Sequence, residues 1–125
     1  MSKASLFLVD RLRHLAPGFY TERDGGDWYC LTPNGEGHDR LAEGFFDRDD
    51  ARRFILALAG DALPPFWRIE HIGDIFANLE CEQGYCATIW VRAVETRFPG
   101  KLQNLQNAPG GAFVRAERLE VHDHG

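Results

Sequence analysis

Serine, lysine and methionine are nearly missing from this chain, cysteine is sparse, and each scarcity removes a class of chemistry. Ser2 and Ser5 are the only serines. Neither stands in a Gly-x-Ser-x-Gly elbow, so a serine-hydrolase triad is excluded. No phosphate cradle is present either. Asp24-Gly25-Gly26-Asp27 is acidic and hairpin-like, and Pro109-Gly110-Gly111 is followed by no lysine.

Three cysteines, Cys30, Cys81 and Cys86, are an odd number in a chain of 125 residues. A domain of that length buries a core unaided, so the expectation is reduced thiols acting as small hydrophobes rather than a disulfide framework. Cys81-x4-Cys86 has no second ordered pair, and His71 precedes it by ten residues, which is not a zinc-ligand pattern. Cys81 lies between Glu80 and Glu82, whose carboxylates disfavour the thiolate a nucleophile needs. His122-Asp123-His124 reads as a solvated terminal cluster. No metal or cofactor is therefore expected.

Long hydrophobic runs are also absent. Leu6 to Val9 and Ile55 to Ala59 fall far short of the roughly 20 apolar residues that span a bilayer. The N-terminal segment has one basic residue and an apolar run broken at Asp10, unlike a secretory leader. The expected setting is cytoplasmic, with no membrane contact. Excess positive charge is missing as well: 14 basic against 19 acidic residues give a net charge of −5. That balance argues against nucleic-acid binding, even though Phe19, Tyr20, Trp28, Tyr29 and Trp90 are aromatics of the kind that stack bases on a sheet. The acidity is concentrated in residues 61–83, which hold one basic and five acidic side chains.

What is present is a normal globular complement, 44% hydrophobic, 26% charged and 12% aromatic. Leu6, Leu8, Val9, Leu12 and Leu15 recur at helical spacing before Pro17-Gly18. Phe19 to Arg23 and Trp28 to Thr32 read as strands joined by Asp24-Gly25-Gly26-Asp27. A polar loop from Pro33 to Arg40 precedes a third strand, Leu41 to Phe46. Asp47 then caps a helix with Asp49 and Asp50 in its first turn, an Ala51, Phe54, Ile55, Leu58 stripe and a Gly60 stop.

Pro64-Pro65 is read as a bend within one domain, 1–125. Ile69, Ile72, Phe76 and Leu79 suggest a short helix weakened by Gly73 and broken at Gln83-Gly84. Tyr85 to Phe98 favours a strand on its β-branched and aromatic density, with a helix as the alternative. Pro99 to Gly111 reads as a loop with room for a helical turn, Ala112 to Val121 as a closing strand, and residues 122–125 as a frayed tail. The expected fold is α+β: a single domain with an antiparallel sheet packed mainly on one face by two or three helices.

Function is less sharply drawn. With catalytic constellations missing, the leading expectation is a non-enzymatic protein-binding protein whose partner presents a basic surface. The candidate contact residues are Asp61, Trp67, Glu70, Asp74, Glu80, Glu82 and Tyr85, since acidic patches steer basic partners and aromatics anchor interfaces. A sharper form is an inhibitor that occupies a basic nucleic-acid groove of a nuclease or host-defence complex, in the manner of phage anti-CRISPR proteins. The alternative is a small metal-assisted or acid/base enzyme, with Glu70 and Asp74 four apart on one helix face and His71 beside them.

Overall fold

A computed structural model describes residues 2–31, 39–82 and 84–108. The expected strand from Ala112 to Val121, the tail with His122-Asp123-His124, and most of the Pro33 to Arg40 loop lie outside the described residues.

The chain begins with α1 (Lys3–Leu15), where the Ser2 side chain accepts from the Ser5 N–H at 3.1 Å. Leu8 and Leu12 are the buried positions, so the inward stripe is rotated from the one that includes Leu6, which is 55% exposed. Three antiparallel strands follow: β1 (Tyr20–Asp24), β2 (Asp27–Leu31) and β3 (Arg40–Phe45). Gly25 and Gly26 form the first turn. Gly25 has φ +67° and Gly26 does not share the positive sign, the sign pattern of a type II′ hairpin.

The next element, α2 (Arg48–Ala59), is capped by Asp47, whose carboxylate accepts from the Asp49 N–H at 2.8 Å. It stops at Gly60 (φ +140°), where Gly60 N–H reaches the Ala57 carbonyl and Asp61 N–H the Leu56 carbonyl. That pair of bonds is the Schellman arrangement, and glycine supplies its backbone conformation without a Cβ clash. Ala51, Phe54, Ile55 and Leu58 are all buried, as their spacing predicts.

A second set of three antiparallel strands contains β4 (Arg68–Ile72), β5 (Phe76–Cys81) and β6 (Gly84–Trp90). Two short helices follow, α3 (Val91–Arg97) and α4 (Lys101–Asn107). The strand order is β1-β2-β3-β6-β5-β4, with the two sets joined by antiparallel pairing of β3 and β6. Each set runs as three strands followed by helix. The α+β architecture with an antiparallel sheet is thus the one the sequence implies, with four helices among the described residues where two or three were expected.

Four local expectations need correction. The helix expected over Ile69 to Leu79 is the β4–β5 pair, with a turn at Gly73-Asp74-Ile75. A Cβ on Gly73 would lie 2.9 Å from the Phe76 carbonyl oxygen, so glycine marks a tight turn and not a weak helix. The strand expected to run on to Phe98 ends at Trp90, because Val91 and Val94 turn inward at helical spacing. The loop expected over Pro99 to Gly111 contains α4, where Leu102 and Leu105 repeat at three residues and are both buried. Finally, Cys81 and Cys86 are joined by a disulfide with Cα atoms 5.9 Å apart, while Cys30 is a buried thiol. Residue counting could not reveal that Cys86 is the bulged residue between the Glu80–Tyr85 and Leu79–Ala87 pairs, across the hairpin from Cys81.

One core lies on a single face of the sheet. Leu8 and Leu12 from α1, Phe54, Ile55 and Leu58 from α2, Val94 from α3 and Leu102 and Leu105 from α4 meet Ala42, Phe45, Ile69, Leu79, Ala87 and Ile89. Trp67 is part of this core at 8% exposure, its ring stacked 6.4 Å from that of Phe45. The β4 edge is partly covered by α4, whose Gln106 Nε2 donates to the Ile69 and Glu70 carbonyls at 3.4 Å each. Such cover blunts an edge that would otherwise offer free backbone groups.

Candidate functional site: the open face of the sheet

Alternation along a strand sends successive side chains to opposite faces, so a strand register with one apolar parity also specifies its outer parity. Reading that second parity across the ladder gives a continuous row: Glu22, Tyr29, Glu43, Thr88 and Asn78, contributed by β1, β2, β3, β6 and β5 in spatial order. Beside it runs a shorter row of Tyr85, Glu80 and Arg68, and on the other side Phe76 stands opposite Trp90. Aromatic rings and carboxylates are interleaved over this surface. None of these residues belongs to the core cluster.

The rings are held in place by polar contacts. The Trp90 indole N–H donates to Glu43 Oε1 at 2.7 Å, and the Arg40 guanidinium lies 4.4 Å from the centre of the Tyr29 ring. Burial, followed by the charges of Glu43 and Asp24, raises the Tyr29 hydroxyl above the ordinary tyrosine pKa, with Arg40 working against them. Tyr85 hydrogen-bonds to Thr88 across the bulge. Its hydroxyl also lies over Gly44, 3.6 Å from where a Cβ would stand. Gly44 is the extra residue of β3 between the Trp28–Phe45 and Tyr29–Glu43 pairs, and its φ of +101° is one that only glycine adopts easily. The bulge at Gly44, which has no side chain of its own, thus leaves room for the Tyr85 hydroxyl.

Exposure separates scaffold from surface. Tyr85 is 59% and Phe76 52% exposed, whereas Tyr29, Glu43 and Trp90 are half-buried. Arg68 ion-pairs with Glu70 at 2.6 Å and Glu80 at 3.2 Å, leaving two carboxylates around one cation.

Of the residues singled out in the sequence, the fold gathers Glu70 and Glu80 around Arg68 on this face, with Tyr85 opposite Glu80. Asp74 is exposed in the β4–β5 turn and Glu82 in the β5–β6 turn. Asp61 is elsewhere, ion-paired with Arg11 of α1 at 3.0 Å. Trp67, buried against Phe45, offers no exposed ring. Glu70, His71 and Asp74 do not share a helix face, because the helix that would align them is two strands and a turn. Among the described residues no three His, Cys, Asp or Glu side chains are grouped to hold a metal ion. Sequence reasoning missed Phe76 and Glu43, whose outward parity only the strand register reveals. It also missed the exposed Phe46 and Phe66, 91% and 78% accessible, which stand singly in connecting segments.

No protein-family model, curated protein or solved structure matches this chain. Among the described residues, no helix is long and apolar enough to cross a membrane.

Proposed function

We propose that this protein is a binding module that docks a protein partner with a basic surface on the open face of its sheet, and acts without catalysis. The observation that carries this reading is the interleaving of exposed rings, Tyr85 and Phe76, with the carboxylates of Glu22, Glu43, Glu70 and Glu80 on one rigid surface. Aromatic anchors supply contact area at low entropic cost, and carboxylates around them steer and orient a cationic partner. Six strands about 4.8 Å apart make a face roughly 24 Å wide, and strands of this length run about 17–24 Å. The product, about 400–600 Å², is over half of the roughly 800 Å² that one partner contributes to a standard interface. The turns bearing Asp74 and Glu82 extend it at both ends.

The finer form of the proposal is an inhibitor: a partner whose basic surface ordinarily holds nucleic acid, in a nuclease or host-defence complex, loses that surface to this face. The surface electrostatics favour this over direct nucleic-acid binding, since the carboxylates would repel a phosphate backbone. The test is capture of a lysate protein on tagged chain after nuclease treatment, repeated with Phe76→Ala/Tyr85→Ala and with Glu43→Lys/Glu80→Lys. A stoichiometric partner retained by the parent, lost with both variants and released by added salt supports the proposal. Retention unchanged in both folded variants refutes it.

A further inference from the structure

On the other, helix-covered side of the sheet lies a cavity of about 310 Å³ between the C-terminal half of α1, the Pro17-Gly18 turn, β1 and the start of α2. Its composition runs against that of the chain as a whole. Three arginines, Arg13, Arg48 and Arg52, border it, and its lining contains no carboxylate. Arg52 is accounted for: its side chain is 8% exposed and paired with Asp49 at 2.7 Å. Arg48 is different. Its Nε donates to Thr21 Oγ1 at 2.9 Å and its guanidinium lies 4.7 Å from the centre of the Trp28 ring, which fixes the plane of the fork. Among the described residues no carboxylate ion-pairs with Arg48 or with Arg13.

A guanidinium held by a hydroxyl and a ring, with no carboxylate partner among the described residues, matches the fork that binds carboxylate and phosphate groups. Partial burial and then the neighbouring Arg52 charge lower the Arg48 pKa, with the Asp49 charge working against them. Apart from Thr21 and Tyr20 the rest of the lining is apolar, with Leu12, Ala16 and Phe19 bordering the same space. A volume near the lower end of the roughly 300–1,000 Å³ typical of ligand pockets suits a small molecule, not a peptide.

We propose that this cavity binds a small organic anion, a carboxylate or phosphate monoester carrying a ring or short chain. Arg48 and Arg13 take the acid group, and Leu12, Ala16 and Phe19 take the apolar body. This site is independent of the docking face and goes beyond the proposed function. The experiment is calorimetric titration of the full chain at fixed ionic strength with phenyl phosphate, benzoate, inorganic phosphate and phenol. Saturable binding of phenyl phosphate or benzoate is expected, about tenfold or more tighter than inorganic phosphate or phenol, and weakened about tenfold or more by both Arg48→Gln and Arg13→Gln. Whichever of the two organic anions binds more tightly identifies phosphate or carboxylate as the preferred head group. Arg13 is exposed, so its variant tests the site even if Arg48→Gln disturbs folding. Absence of saturable binding by any of the four probes, or affinity unchanged in a folded Arg13→Gln, overturns the proposal.

Discussion

Replacing Asp49 by alanine severs three interactions at one point where α1 and α2 meet. The Asp49 carboxylate accepts from the Ser5 hydroxyl of α1, pairs with Arg52 at 2.7 Å, and places negative charge in the first turn of α2. Arg52 is the costly partner, since its side chain is 8% exposed and would be left buried without its carboxylate. A charge-assisted hydrogen bond is worth about 1.5–3 kcal/mol and the helix-dipole contribution about 0.3–1, so the expected loss is about 2–4 kcal/mol at pH 7. With a urea m-value of about 2 kcal/mol/M for a domain of this size, the midpoint should fall by about 1–2 M with m unchanged. The pH dependence provides an internal control. Burial pushes the Asp49 carboxyl up, but Ser5, Arg52 and Arg53 outweigh it and hold the folded-state value below the ordinary 3.8. Its stabilisation is therefore fully present above the unfolded value and is lost as pH falls through the lower folded value. The gap between parent and Asp49→Ala should be constant from pH 7 to about 5 and narrow below 4. A difference within about 0.5 kcal/mol at pH 7, the level of an ordinary surface substitution, would refute this account of the α1–α2 junction.

Thiol titration should find no reactive cysteine in the native protein, one after denaturation without reductant, and three after reduction, because Cys30 is fully buried with its thiol pKa pushed up and Cys81 is bonded to Cys86. Closing so short a loop constrains the unfolded chain by only about 2 kcal/mol, which calorimetry of Cys81→Ser/Cys86→Ser should read as an upper limit. Phe54→Ala, at a fully buried ring 5.9 Å from that of Phe45, should cost about 3–5 kcal/mol in denaturant unfolding. Gly44→Ala should cost about 1–3 kcal/mol through its positive φ, since the added Cβ meets Tyr85 and Ala87 only at ordinary contact distance.

The parts of the fold legible in the sequence are those where one local signal has no competitor. Asp47, the Ala51-Phe54-Ile55-Leu58 stripe and Gly60 agree on α2, and Gly25-Gly26 specifies the first hairpin. Where signals compete, local reading fails for physical reasons. Ile69, Ile72, Phe76 and Leu79 match a helical period by coincidence, because a turn at Gly73-Asp74-Ile75 interrupts two strands whose inward residues are Ile69, Ala77 and Leu79. The Gln and Asn of α4 resemble a loop until burial of Leu102 and Leu105 outweighs their polarity. The disulfide and the open face are tertiary facts. Both depend on β5–β6 register, with Cys86 bulged and Tyr85 brought beside Glu80 and over Gly44. Acidic residues of the 61–83 segment were visible as a group in the sequence, but only the fold separates Glu70 and Glu80, which share the sheet face, from Asp61, which serves α1.

The most direct test of the docking face is an amide chemical-shift map of isotope-labelled chain titrated with the protein it retains from lysate. The expected perturbations fall on Tyr29, Glu43, Phe76, Asn78, Tyr85 and Thr88, with α1 and the outer side of α2 unaffected. Perturbations confined to the helices, with the outward row from Glu22 to Asn78 unchanged, would contradict the account.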